Sequence, residues 1–99
     1  MLRRRIVPWM ATQPRSHWRV VHLALERRGM LGRRQRSVRG FARWLVSAFP
    51  ELGDAGKLAN SMHHLTMAQH IRAAELEHQP QGAALPEAVR LVEQRLGAG

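Results

Sequence analysis

The chain has 99 residues, 16 Lys and Arg against 7 Asp and Glu, a formal net charge of +9 and no cysteine. That length makes one small domain. The lack of cysteine excludes disulfides and thiolate-held metals, and no apolar run reaches the ~18 residues that a membrane span needs.

The charge is unevenly divided. Residues 1–49 carry twelve Arg and one acid, Glu26, for +11, whereas residues 50–99 carry four bases (Lys57, Arg72, Arg90, Arg95) and six acids, for −2. A GC-rich coding sequence accounts for much of the preference for Arg over Lys, but not for the crowding of bases into one half. A field concentrated in this way favours a polyanion or an acidic protein face as partner.

Residues 1–15 read as a basic irregular arm. Pro8 and Pro14 break helices, and Arg3, Arg4 and Arg5 form a cationic run; a short edge strand over Arg4–Val7 is the alternative. Trp9 and Met10 are candidate anchors. Ile6-Val7 is followed at once by Pro8, so no signal-peptide core forms, and the chain reads as cytoplasmic.

A single helical domain is expected over residues 16–99. The first helix runs from about Ser16, a plausible N-cap, to Arg28, with Trp18, Val20, Val21, Ala24 and Leu25 on its apolar face. Gly29 suits the left-handed position that closes a helix. Met30–Arg36 read as a basic loop. Ser37 then caps a second helix, Val38–Phe49, whose stripe Val38, Phe41, Leu45 and Phe49 is widened by Trp44 and Ala48. Arg36, Arg39 and Arg43 share another face. Pro50 ends it, and Glu51–Gly56 form a turn.

A short helix follows from about Ala55 to Leu65, with Leu58, Met62 and Leu65 to one side. Thr66-Met67-Ala68-Gln69 matches a capping box, which opens a fourth helix, Met67 to about His78, with Met67, Ile71 and Ala74 inward. Residues 79–85 read as a linker. Pro86, at a first helical position, starts a last helix with Leu85, Val89, Val92 and Leu96 inward. The fold class is all-α: a compact bundle of four to five short helices behind a basic arm. A domain this small buries only roughly 60–65% of its unfolded surface, so a partner or self-association would add to a thin margin.

Catalytic patterns are missing. There is no Cys nucleophile, no Gly-x-Ser-x-Gly and no phosphate loop ending in Gly-Lys-Ser/Thr, and Glu75 and Glu77 face different sides of a helix. The chain reads as a non-enzyme without a cofactor. His63, His64, His70 and His78 lie in one stretch, but the spacings of seven (63 to 70) and eight (70 to 78) cannot chelate one ion on a helix, where three or four is needed. With His17 and His22 they read as surface or half-buried imidazoles, and no metal site is expected.

The arginines carry the strongest signal. Arg33, Arg34, Arg36, Arg39 and Arg43 cover a loop and the first two turns of a helix, a geometry suited to phosphates near a helix N-terminus. Arg3, Arg4 and Arg5, on a flexible arm, would enter a minor groove, as basic arms often do. The expected function is a nucleic-acid-binding accessory or regulatory protein, with DNA favoured over RNA; the alternative is an inhibitor or adaptor docked on an acidic or nucleic-acid-binding face of a host complex. A helix-turn-helix fits poorly, because the turn glycine is misplaced and the third helix carries only Lys57 as a base. Trp18, Phe41 and Phe49 read as core, and Trp44 as either the edge of the core or a stacking surface.

Several of these pieces together resemble the Mu-like phage regulatory protein GemA family. They are a helix ending in Arg28-Gly29, Ser37 opening a helix that bears Phe41 and Trp44, and His64-Leu65-Thr66 leading through Gln69 to Ile71 and Glu75. The resemblance spans about sixty residues, Trp18 to Glu77, and stops short of Pro80–Gly99. It implies a small phage or mobile-element regulator acting on host DNA transactions, and it assigns no functional residue.

Overall fold

The computed structural model describes residues 17–63, 67–75 and 84–97. All regular structure among them is helical. In chain order come α1 (His17–Arg27), a 3-10 turn (Arg33–Gln35), α2 (Val38–Ala48), a second 3-10 turn (Pro50–Leu52), α3 (Ala55–Met62), α4 (Met67–Glu75) and α5 (Ala84–Gly97). The all-α bundle expected from the periodicity is therefore observed. No described helix is long and apolar enough to cross a membrane.

α1 is the centre of the bundle. The unbroken run Val20-Val21-His22-Leu23-Ala24-Leu25 is buried, together with Trp18. A helix covered on every side needs apolar residues all round, and α1 packs against α4 and α5 as well as α2 and α3. Its end is fixed by backbone geometry. Gly29 adopts φ +70°, the Met30 N–H donates to the Leu25 carbonyl and the Gly29 N–H to the Glu26 carbonyl, both at 3.0 Å. This pair of bonds closes the helix as glycine at that position allows.

α2 begins at Ser37, whose Oγ accepts from the Gly40 N–H at 3.0 Å. Phe41, Ala42 and Leu45 are buried, and Val38, Trp44, Val46 and Ala48 are packed partly against the core. The helix stops at Ala48 because the residue before a proline is pushed out of the helical region; Phe49, at φ −133°, is its C-cap. The expected turn opens with the second 3-10 turn, which begins one residue earlier at Pro50, with Leu52 buried. Asp54 then caps α3 by accepting from the Lys57 N–H at 3.0 Å. Leu58, Ala59 and Met62 of α3 are buried, and α3 makes its main packing against α2. α3 ends at Met62, three residues short of the expected Leu65.

Two expectations for the C-terminal half are corrected. Met67 and Ile71 of α4 do not point inward: they are 73% and 54% exposed, and the buried residue of that helix is Ala73. α4 packs on α1, whose surface is already filled by large side chains, and a small residue in α4 permits the close approach. Pro86 is the third residue of α5 rather than the first. It still lies in the first turn, where an amide has no intrahelical acceptor. Val89 and Val92 are fully buried, as expected, with Ala88 and Leu91 beside them. An ion pair between Arg28, just past α1, and Glu93 ties the two segments.

The expected N-terminal arm, with Arg3, Arg4, Arg5 and Trp9, lies outside the described residues, as do the Ser16 cap, Thr66 of the capping box and residues 79–83 of the linker. The end of that linker is helical from Ala84.

Candidate nucleic-acid interface

The basic loop is fastened to the core from beneath. Leu31 is 8% exposed and anchors its start. His22, with no exposed surface, lies under its middle, where Nε2 donates to the Gln35 carbonyl oxygen at 2.8 Å. The other ring nitrogen, Nδ1, lies 2.5 Å from an Arg19 guanidinium nitrogen. A guanidinium only donates, so Nδ1 accepts and the ring is the neutral Nε2–H tautomer. Burial pushes the His22 pKa down; the Gln35 carbonyl opposes this, and the Arg19 charge adds to it. The ring stacks on Phe41 of α2, with centroids 4.5 Å apart and planes at 27°. His22 is thus neither a surface nor a half-buried imidazole. The contiguous apolar run around it was the signal in the sequence. His17 is half-buried, and His63 and His70 are exposed.

A glycine holds the loop from the other side. A Cβ on Gly40 would overlap the Arg34 carbonyl oxygen and lie 2.9 Å from Ser37 Oγ. The loop backbone therefore rests directly on α2, and only the missing side chain permits it. A glycine inside an otherwise strong helix costs up to ~1 kcal/mol relative to alanine, and that local cost marks a close approach.

With the loop held down, two open grooves flank α2. The first, about 570 Å³, is lined by Arg33, Arg34 and Gln35 from the 3-10 turn and by Ser37, Gly40, Arg43, Trp44 and Ser47. Gly40, Trp44 and Ser47 recur at helical spacing on the side of α2 that lines it. The second, about 360 Å³, lies between α2 and α3 and is lined by Arg39 and Arg43 with Ala55, Gly56, Ala59, Asn60 and His63. Arg43 belongs to both. Neither lining includes an acidic side chain.

Of the arginines singled out in the sequence, Arg33, Arg34 and Arg43 meet in the first groove, and Arg39 joins Arg43 in the second. Arg36 is exposed at the end of the 3-10 turn and lines neither. Among the described residues none of these five forms an ion pair, whereas Arg28 is bonded to Glu93 and Arg72 lies 3.7 Å from Glu75. Their field is left uncompensated by carboxylates. Trp44 packs partly against the core, tilted at 31° to Phe41 with centroids 6.1 Å apart, and it also lines the first groove. Asn60 and His63 carry no charge-cluster signal, and the packing of α3 on α2 brings them to the second groove, whereas Ser47 reaches the first groove from α2 itself.

Guanidinium forks bind phosphate through paired hydrogen bonds, and hydroxyls and amides add neutral contacts. No group of three or more His, Cys, Asp or Glu is placed to hold a metal ion among the described residues. No protein-family model, curated protein or solved structure matches the chain.

Proposed function

We propose that the chain is a small nucleic-acid-binding accessory protein that holds backbone phosphates with Arg33, Arg34, Arg39 and Arg43. One observation carries this: these arginines gather around two adjoining grooves with no carboxylate among the lining residues and, among the described residues, no ion-pair partner. Phosphate contacts supply affinity and register without reading sequence. The protein positions itself on DNA in preference to RNA, and the GemA resemblance suggests the setting, a phage or mobile-element regulator.

The test is a salt titration of binding to labelled DNA and RNA. Affinity should fall steeply as salt rises, since each neutralised phosphate contributes a slope of about 0.7–0.9 in log affinity against log salt. Replacing Arg33, Arg34 and Arg43 together by alanine should remove about two units of that slope, and replacing Arg72, Arg90 and Arg95 should leave it nearly unchanged. A flat salt response would overturn the proposal. So would a stoichiometric protein partner that survives nuclease treatment from a chain that binds no nucleic acid; the same arginines would then serve an acidic protein face.

A further inference from the structure

Resting on that reading, we infer that the strand held in these grooves is single-stranded, with a base stacked against Trp44 and the next phosphate on Arg43. A duplex presents its phosphates on the outside of a stiff rod and keeps its base faces covered. Phosphate contact alone therefore calls for exposed guanidinium groups and no aromatic wall. Here an indole lines the groove among three guanidinium groups. It is backed by Phe41, which fixes it as a platform at little entropic cost. Base-on-aromatic stacking beside a cationic track is how unpaired strands are held without regard to sequence.

The spacing of the grooves supports the same occupant. They are two pockets, of about 570 and 360 Å³, joined at one shared residue, Arg43. The volumes fall within the usual range for small-ligand sites, and successive nucleotides are likewise two bulky units joined by one anion. Arg43 stands at the junction, where the linking phosphate would lie. The first pocket offers the aromatic wall. The second offers Asn60 and His63, of which the Asn60 amide both donates and accepts and suits a base edge.

The experiment compares a short labelled oligothymidine with a duplex of equal length, at matched salt, on the full chain and on Trp44→Leu and Trp44→Phe. The wild-type chain should prefer the single strand. Trp44→Leu should weaken single-strand binding about tenfold or more, with duplex binding and the salt slope little changed. Trp44→Phe should restore most of the loss. Because Trp44 also touches the core, a second readout guards against misfolding of the Leu variant: in a Trp9→Phe background, oligothymidine should quench tryptophan fluorescence, since Trp18 is buried. Equal affinity for duplex and single strand, or no quenching, overturns the inference while leaving the phosphate reading standing. Failure to bind any nucleic acid at low salt overturns both.

Discussion

α1 and α2 are both eleven residues long and both lie in the arginine-rich half, yet they use their arginines in opposite ways. α1 is covered all round, and the basic groups around it are spent internally, Arg19 on the His22 ring and Arg28 on Glu93. α2 buries a stripe through Phe41, Ala42 and Leu45 and keeps Arg39 and Arg43 exposed over grooves that contain no carboxylate. In a chain this rich in arginine, the number of bases says little about function. The informative quantity is which of them lack an acidic neighbour and face a common cavity.

The contrast breaks most severely at the residue shared by both helices. Phe41 is fully buried and carries the His22 ring; Phe41→Ala should cost about 3–5 kcal/mol, read as a fall in the urea midpoint. Next comes Gly40→Ala. The added methyl meets the Arg34 backbone, so the loop must lift. A net cost of about 1–3 kcal/mol is expected, typical of overpacking, despite the better helix propensity of alanine. Nucleic-acid affinity should drop with it, because Arg33 and Arg34 move. Unchanged stability and affinity would show that the loop does not rest on α2.

Acid should act on α1 through His22. The folded His22 pKa lies below the ordinary 6.5, so the unfolded chain takes up the proton first. The stability that His22 confers is full above about pH 6.5 and is lost as pH falls towards the folded pKa, by at most about 1.4 kcal/mol per pH unit. Urea midpoints measured from neutral pH downward should show this slope, and His22→Gln should flatten it. The smallest effect is expected at the Arg28–Glu93 pair between α1 and α5: Glu93→Gln should cost no more than about 1 kcal/mol and leave binding unaltered.

Much of the scaffold was legible in the sequence. The caps at Ser37 and Asp54 and the left-handed Gly29 follow from local chemistry, although at residue 54 the sequence indicated a turn rather than a cap. The stripe of α2 follows from period alone. α4 departs from its apolar period because Met67, Ile71 and Ala74 form an equally regular stripe, and period cannot say which side of a short helix meets a neighbour. That choice was set by the bulk already present on α1, a tertiary property. The arginines of the candidate site were visible as a cluster, but their division was not: Arg36 lines neither groove because the 3-10 turn carries it past them. Gly40, Asn60 and His63 reach the site only through how closely loop, α2 and α3 approach one another.

The central position of α1 has a consequence for biosynthesis. Chain order delivers α1 to the ribosome exit ahead of α4 and α5, the helices that cover it; the Arg28–Glu93 clasp joins residues 65 positions apart. The unit that bears the grooves, from the 3-10 turn through α3, is by contrast contiguous in sequence, and such contacts close quickly while distant ones wait. On a nascent chain the cationic surface therefore takes shape above a helix whose apolar sides are still bare, a species prone to stick to other chains. Shortening the protein from its C-terminal end would strip support from the grooves without removing a single residue that lines them.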